Sequence, residues 1–172
     1  PGGALPAHPM TASSDASGAT HPRRDHLVFV RAGRHSLHPR WLADDPERNW
    51  DCCVNAWDEI QAEEWPGAGA ELHLPGGLNK FEAWQGLHET LMARRPYRHV
   101  LMLDDDLHFE PRALSRFFEL CAQESLDLAQ PAIALGSHAN HLINLHNATC
   151  LVRRVNFVEV MAPCFSAALL ET

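Results

Sequence analysis

Apolar residues occur along this chain in short continuous runs that alternate with stretches of helical period. Three runs, rich in β-branched and other large apolar side chains, are His26–Val30, Trp50–Ala56 and His99–Leu103. The third shows no apolar–polar alternation, which is typical of a central parallel strand covered on both faces. We therefore predict three buried strands, with a turn at Arg31-Ala32-Gly33 after the first.

Stretches of helical period lie between and after these strands. Asn79 can cap a helix, and Glu82 three residues later completes a capping box. The predicted core stripe of this helix consists of Phe81, Trp84, His88 and Leu91. Arg94-Arg95-Pro96 ends the helix, because cations favour its C-terminus and proline cannot continue it. A second helix is predicted with Pro111 at its first position and a core face of Leu114, Phe117, Phe118 and Cys121.

Two further apolar segments follow the second helix. Leu128–Leu135 can form an edge strand, because Pro131 cannot donate a hydrogen bond to a neighbouring strand. Cys150–Val160 is another apolar, β-branched segment, interrupted by Arg153-Arg154. The alternation of strand and helix predicts an α/β domain with a mostly parallel central sheet flanked by helices.

Composition predicts a disordered N-terminal segment followed by one globular domain. The chain has 172 residues, 45% of them hydrophobic and 21% charged, so it is too apolar to be disordered overall. Residues 1–24 are rich in Pro, Gly, Ala, Ser and Thr and show no periodicity, and we predict a disordered leader there. Residues 25–172 have the length of a single domain.

Charge and cysteine content narrow the expected partners and location. Lys and Arg number 14 against 22 Asp and Glu, which gives a formal net charge of −8 and argues against a nucleic-acid partner. No apolar run approaches the roughly 18–20 residues that a membrane span needs. The 5 cysteines contain no C-x-x-C pair, which favours reduced thiols over disulfides or a zinc knuckle. We therefore expect a cytoplasmic protein.

Three adjacent carboxylates, Asp104-Asp105-Asp106, follow the most apolar strand directly. Ligands of parallel sheets collect at the carboxyl ends of the strands, which is where this triplet would lie. Along an extended backbone Asp104 and Asp106 share one side, and two such charges favour a cation between them. Mg²⁺ or Mn²⁺ can bridge carboxylates to substrate phosphates. The triplet thus predicts a D-x-D metal and diphosphate site, with a solvated acidic loop or a cap for the next helix as the alternative.

Five segments together carry a family resemblance that covers most of the chain from His26 to Ser166. They are HLVFVRAG-x-x-SLHPRW at 26–41, RNWD at 48–51, HVLMLDDDL at 99–107, AQPA at 129–132 and NFVEVMAPCFS at 156–166. In these segments the chain resembles domain-of-unknown-function family 707, which is itself similar to the GT-A glycosyltransferases. The resemblance implies a nucleotide-diphospho-sugar transferase fold and metal-dependent sugar transfer from a nucleotide-sugar donor.

The same resemblance implies roles for particular residues. Asp106 would ligate the metal, and Asp104 would contact the donor ribose or a metal-bound water. Arg31 and Gly33 would help to form the nucleotide pocket, and Asp51 is a weaker candidate for the base or ribose. GT-A proteins usually supply another metal ligand and a phosphate contact from their C-terminal part. Since this chain stops soon after NFVEVMAPCFS, we expect either a fold truncated at its C-terminus or an incomplete site.

Two loops hold further candidate ligands. Gly76-Gly77-Leu78-Asn79-Lys80 leads into a helix N-terminus, which suits a phosphate, and Lys80 would add a charge. An ordinary turn and cap with an exposed lysine is the alternative. The His138, His141, His146 and Cys150 cluster matches no standard zinc spacing. We instead expect Ser137-His138 to bind substrate, because this loop would border the D-x-D site.

Charged and aromatic residues supply the remaining candidates. Arg153 and Arg154 can pair with a diphosphate leaving group or form an ordinary surface ion pair. Glu159 lies among apolar neighbours and is our candidate for the base that an inverting transferase needs. Four tryptophans can stack on a base or sugar, although Trp84 belongs to the helix core: Trp41, Trp50, Trp57 and Trp84.

The leading hypothesis is a glycosyltransferase domain of hexosyl- or N-acetylhexosaminyl-transfer type. It would use Mn²⁺ or Mg²⁺, a nucleotide-diphospho-sugar donor and a glycan or other hydroxyl acceptor. The alternative is a non-catalytic or degenerate module of the same fold that binds a nucleotide or glycan. A receiver-type domain is the weakest candidate, because the first strand ends in Arg31 and no lysine follows Lys80.

Overall fold

The computed structural model describes residues 24–57, 69–75 and 79–171. The leader predicted at 1–24, apart from Arg24, lies outside these residues, as do Gly76, Gly77 and Leu78 of the predicted phosphate loop. No helix among the described residues is long and apolar enough to cross a membrane. All 5 cysteines are free thiols, and Cys150 alone among them is exposed.

The described residues form one sheet of 6 strands in the order β3-β2-β1-β4-β6-β5. Its strands are β1 His26–Ala32, β2 Trp50–Ala56, β3 Leu72–Pro75, β4 His99–Asp104, β5 Leu128–Ala129 and β6 Cys164–Ser166. Strands β3, β2, β1 and β4 are parallel to one another, and β6 is antiparallel to both β4 and β5. The predicted α/β architecture with a mostly parallel central sheet is therefore confirmed.

Strand β1 lies at the centre of the sheet and is buried on both faces. Successive residues alternate between two apolar clusters, so Val28 and Val30 pack on one side and Leu27 and Phe29 on the other. Such double burial explains why the sequence of β1 reads as a continuous apolar run rather than an alternating one.

Helices cover both faces. Besides a turn of 3-10 helix at Leu142–Asn144, the helices among the described residues are α1 His38–Ala43, α2 Lys80–Arg94, α3 Ala113–Gln123 and α4 Ala167–Leu170. Helix α2 packs Trp84 and Leu91 against the β1 face that carries Leu27, and α3 packs Phe118 against the opposite face.

The predicted cap of α2 is confirmed, but one member of its core stripe was assigned wrongly. The Asn79 side chain accepts hydrogen bonds from the backbone N–H groups of Phe81 and Glu82, both at 3.0 Å. The Phe81 side chain is 42% exposed, and Ala83 is buried in its place beside Trp84. At the first turn the buried residues are Lys80, Ala83 and Trp84, so the buried face is shifted by one residue toward the N-terminus from the predicted stripe.

Helix α3 begins two residues later than its sequence predicts. Arg112 adopts a left-handed conformation with φ of 61°, so Pro111 lies in a turn before the helix rather than at its first position. Leu114, Phe118 and Cys121 are buried as predicted.

In the C-terminal third of the chain, the segments that join the sheet differ from the predicted ones. Only Leu128–Ala129 of the predicted Leu128–Leu135 strand joins the sheet, where β5 does form an edge. The Cys150–Val160 segment contains neither helix nor strand. The neighbour of β4 is instead β6, a short antiparallel strand that the sequence pattern did not indicate.

Two buried histidines face each other at the amino ends of β1 and β4. The Nδ1 atoms of His26 and His99 lie 3.3 Å apart, and His99 Nε2 lies 3.2 Å from the Leu126 carbonyl. That carbonyl accepts from Nε2–H, which leaves His99 Nδ1 to accept a hydrogen bond from His26. The His26 ring also stacks on Phe118, with 4.6 Å between ring centres. Burial lowers the pKa of both imidazoles below their ordinary range.

We expect the stability of the fold to fall as the pH drops from about 6.5 to about 4. Burial, with a smaller effect of His99, lowers the pKa of His26 to about 4 from its ordinary value of 6.5. Between these values the unfolded chain binds more protons, so acid favours unfolding. The contribution of His26 is roughly 2–3 kcal/mol at neutral pH and is lost through this window. Urea unfolding at a series of pH values measures it.

The variant His26→Gln removes this titration and should flatten the pH dependence. It should not abolish it, because burial also lowers the pKa of His38 to about 4. The control is His35→Gln, which removes an exposed histidine. Equal acid sensitivity in His26→Gln and in the parent chain would contradict the assignment.

Candidate functional site

The carboxyl ends of β1, β2 and β4 meet at one edge of the sheet and align three polar residues. Arg31 on β1 is level with Asn55 on β2 and with Asp104 on β4. The Arg31 guanidinium donates to the Asn55 side-chain oxygen at 2.5 Å. Burial lowers the pKa of Arg31, and the charge of Glu82 opposes this effect. Two predicted site residues, Arg31 and Asp104, are thus neighbours across the sheet.

The middle carboxylate of the triplet is bound to backbone. Asp105 Oδ2 accepts a hydrogen bond of 2.7 Å from the Gly33 N–H, and the Asp105 carbonyl accepts one of 2.7 Å from the Leu37 N–H. These bonds fix the β1–α1 loop against the end of β4. Asp105 therefore shapes the edge, and one of its carboxylate oxygens is occupied by a backbone N–H group.

Gly33 is tightly packed against a tryptophan that follows β2. A Cβ atom at Gly33 would lie 2.3 Å from Cζ2 of the Trp57 ring. The backbone N–H of Trp57 donates to the Ala32 carbonyl at 3.2 Å, and Trp57 as a residue is 55% exposed. The absence of a side chain at Gly33 thus allows an indole to lie over the β1 turn with one part open to solvent.

The first carboxylate of the triplet is bound to the single lysine of the chain. Lys80 Nζ lies 2.8 Å from Asp104 Oδ1 and donates to the Val160 carbonyl at 2.5 Å. Lys80 is only 7% exposed, whereas the Asp104 side chain is 48% exposed. Burial lowers the pKa of Lys80, and its bond to Asp104 opposes that effect. The alternative interpretation of the sequence, in which Lys80 is exposed, is therefore wrong.

The third carboxylate, Asp106, is exposed. Its side chain has no hydrogen bond or ion pair to another residue in the described part of the chain. Asp104 and Asp106 thus offer hard oxygen donors that suit Mg²⁺ or Mn²⁺. Within residues 24–57, 69–75 and 79–171 no group of three or more His, Cys, Asp or Glu side chains is arranged for a metal. Water or phosphate oxygens of a substrate would have to complete such a coordination shell.

Backbone hydrogen bonds bring the segment with Glu159 to the same edge. The N–H groups of Met102 and Asp104 donate to the carbonyls of Pro163 and Met161, each at 2.9 Å. Glu159 lies just before Val160, whose carbonyl accepts from Lys80. The half-buried Glu159 carboxylate accepts from the Asn144 side chain at 3.1 Å. Glu159 is thus adjacent in sequence to a residue at the acidic edge, and the side-chain amide of Asn144 orients its carboxylate.

Sequence reasoning did not identify two residues that hold Glu159. The buried Asn144 binds its carboxylate, and the Gln130 side-chain oxygen accepts from its N–H at 2.5 Å. Both belong to polar loops whose pattern gives no sign of this arrangement. Both also line a groove of about 830 Å³ between α3 and the segment 143–158. Apolar side chains form much of its wall, including those of Phe117, Leu120, Leu128, Val155 and Phe157.

Three predicted site residues are not brought to the acidic edge by any contact among the described residues. Asp51 lies near the amino end of β2, where its buried carboxylate accepts from Tyr97 at 2.8 Å and Arg95 at 2.9 Å. Arg153 donates to the backbone carbonyls of residues 143 and 145. His138 is exposed and forms no hydrogen bond or ion pair within the described ranges. Asp51 is thus part of a buried ion-pair network at the opposite end of the sheet.

Comparisons with known proteins support the fold alone. No protein-family model and no curated protein matches the chain, so the resemblance to family 707 stays a prediction. One similar solved structure is that of a proposed nucleotide-diphospho-sugar transferase from Desulfovibrio desulfuricans G20. It has 9% sequence identity and a TM-score of 0.51, and the match covers 86% of this chain and 65% of the other. This chain therefore has the fold of that transferase and spans less than two thirds of its length.

We expect Gly33→Ala to destabilise the fold by roughly 1–3 kcal/mol, the usual cost of forcing a methyl group into a packed site. Its Cβ would meet the indole of Trp57, which must turn away. Urea unfolding gives the change in stability. The matched control is Gly86→Ala in α2, where an added Cβ meets nothing within 4 Å and should stabilise the helix. Trp57→Ala should rescue Gly33→Ala, and the absence of rescue would contradict this contact.

Proposed function

We propose that this chain binds a nucleotide-diphospho-sugar at the carboxyl edge of its sheet and transfers the sugar to a hydroxyl acceptor. One observation carries the proposal: the edge brings together the carboxylates of Asp104 and Asp106, the cation of Arg31 and the buried cation of Lys80. Ligands of open parallel sheets bind at this edge. The fold match to a proposed nucleotide-diphospho-sugar transferase supports the same assignment.

The nucleoside part of the donor fits the β1–β2 side of the edge. The exposed part of the Trp57 ring offers a surface on which a base can stack. Arg31 and Asn55, which are level with each other on β1 and β2, supply hydrogen-bond donors and an acceptor. We assign the base and ribose to this side, with Asp104 able to accept from a ribose hydroxyl.

The diphosphate then lies over the triplet. Asp104 and Asp106 would hold Mn²⁺ or Mg²⁺ together with phosphate oxygens. Such an ion, when bound, stabilises the negative charge that develops on the leaving nucleoside diphosphate. The Arg31 guanidinium adds a fixed cation close to the same charge.

The acceptor is assigned to the groove between α3 and the segment 143–158. Gln130 and Asn144 both line this groove and both bind Glu159, so the groove borders the predicted base. In the transfer step the acceptor oxygen forms a bond to the anomeric carbon while the bond from that carbon to the diphosphate oxygen breaks. Glu159 takes the hydroxyl proton, and the electron pair leaves with the diphosphate.

Three finer parts of the proposal rest on the sequence. They are membership of family 707, hexosyl or N-acetylhexosaminyl transfer, and a cytoplasmic location, which the free thiols favour. The alternative function is a binding module of the same fold without transfer.

Binding of one class of nucleoside diphosphate should raise the melting temperature in a Mn²⁺-dependent way. A ligand at 100 times its Kd stabilises the native state by about 2.7 kcal/mol. A panel of nucleoside diphosphates with and without Mn²⁺ tests this and identifies the base. Asp106→Asn should abolish the Mn²⁺-dependent part, while Glu119→Gln, which removes an exposed carboxylate from α3, should not. A cooperative melt without a shift for any nucleotide would contradict a donor site.

We expect Glu159→Gln to lower the rate of sugar transfer, or of donor hydrolysis, by roughly 10²–10⁴-fold, the range for loss of a general base. Its donor affinity should stay unchanged, because Glu159 contacts Asn144 and Gln130 rather than the triplet. Single-turnover rates and donor titration separate the two quantities. Donor binding without transfer in the parent chain would instead favour the binding-module alternative.

A further inference from the structure

The position of Lys80 is electrostatically unusual. It is the first residue of α2, where the positive end of the helix dipole disfavours a cation. It is also buried, which disfavours its charged form, as the lowered pKa of Lys80 reflects. Two oxygens, Asp104 Oδ1 and the Val160 carbonyl, compensate for these costs. The ammonium thus occupies a site with the oxygen donors that a small cation prefers.

The two partners of Lys80 belong to different parts of the edge. Asp104 ends β4, and Val160 precedes the segment that pairs with β4 through Met161. Lys80 therefore links the triplet to the chain next to Glu159. An ammonium has three N–H donors, and these two oxygens take two of them. A third donor remains for an anion that approaches Asp104.

We propose that Lys80 is a resident counter-cation of the triplet, which a divalent metal must displace from Asp104 before it can bind Asp104 and Asp106 together. This proposal rests on the metal site of the proposed function. In the free chain Lys80 neutralises Asp104 and makes the triplet a weak metal site. When a metal takes Asp104, the ammonium keeps the Val160 carbonyl and becomes available to donate to phosphate oxygens of the donor.

The competition has a direct electrostatic basis. A unit charge a few ångströms from a bound metal ion repels it by an energy that corresponds to a tenfold or larger change in affinity at the effective dielectric of a protein edge. Asp106 is exposed and is bound to no such cation within the described residues. Without Asp104, a metal at the triplet would therefore have Asp106 as its single carboxylate ligand. Removal of the Lys80 charge should therefore strengthen metal binding. A purely structural role for Lys80 predicts loss of binding or no change.

The test is titration of the full chain with Mn²⁺ alone, with free Mn²⁺ measured by electron paramagnetic resonance. We expect Lys80→Met to bind Mn²⁺ at least about tenfold more tightly than the parent chain, and Lys80→Arg to bind like the parent. Arg94→Met removes the same charge from the exposed far end of α2 and should leave the affinity unchanged within about threefold. Asp106→Asn in the Lys80→Met background should weaken binding again.

The outcomes distinguish this inference from the proposed function. Equal or weaker Mn²⁺ binding by Lys80→Met, with measurable binding by the parent, overturns the competition and leaves the metal site standing. Absence of Mn²⁺ binding in every variant overturns the metal site and the competition with it. Nucleotide-dependent melting in the absence of metal then still tests the donor site by itself.

A second measurement uses the parent chain and does not depend on folding of a variant. Lys80 is the single lysine of the sequence, so acetylation by acetic anhydride can be followed at one side chain by peptide mass spectrometry. We expect Mn²⁺ to accelerate Lys80 acetylation, because metal on Asp104 releases the ammonium from its carboxylate. A rate that is unchanged at saturating Mn²⁺ overturns the proposal.

Discussion

Burial of β1 between two parallel neighbours is the constraint on which the rest of the structure depends. Each residue from His26 to Ala32 pairs with β2, and all but the last also pair with β4. Apolar side chains on both faces then exclude water from the strand, so polar groups can be exposed only at its ends. Because the strands are parallel and in register, the carboxyl ends of β1, β2 and β4 come together. The proximity of Arg31 and Asp104 follows directly.

At this edge one run of three identical residues acquires three different environments. Asp104 pairs with Lys80, Asp105 accepts from backbone N–H groups, and Asp106 is exposed. A sequence motif of adjacent carboxylates gives no indication of this difference, since each partner comes from a distant part of the chain. The consequence is that the triplet holds its own cation and its own backbone donors, and leaves one carboxylate for a ligand.

What the sequence could predict follows from how local each feature is. Strands β1, β2 and β4 were predicted because double burial gives a continuous apolar run, and the Asn79 cap of α2 needs only its next three residues. Strands β3 and β6 were missed because they contain only 4 and 3 residues and exist through pairing with β2 and β4.

The same distinction between local and tertiary features holds for the site. Asp104, Asp106 and Arg31 lie at strand ends that the apolar runs locate, so their common edge could be predicted. Asp51 illustrates the opposite case, since it lies within β2 and its assignment depended on which end of the strand it occupies. The roles of Asn144 and Gln130 depend on the path of an irregular segment, which no periodicity encodes.

The amino edge of the sheet differs from the carboxyl edge in how its polar groups are satisfied. There the buried Asp51 carboxylate has Tyr97 and Arg95 as partners, and His26 has His99. These groups bind one another, and loss of one partner leaves a buried polar atom unsatisfied, at a cost of about 1–3 kcal/mol. At the carboxyl edge Asp106 is exposed, so its substitution leaves no such penalty, whereas loss of Asp104 would remove the carboxylate partner of the buried Lys80. A change at Asp106 should therefore affect ligand binding far more than folding, which is the property that a ligand-binding carboxylate requires.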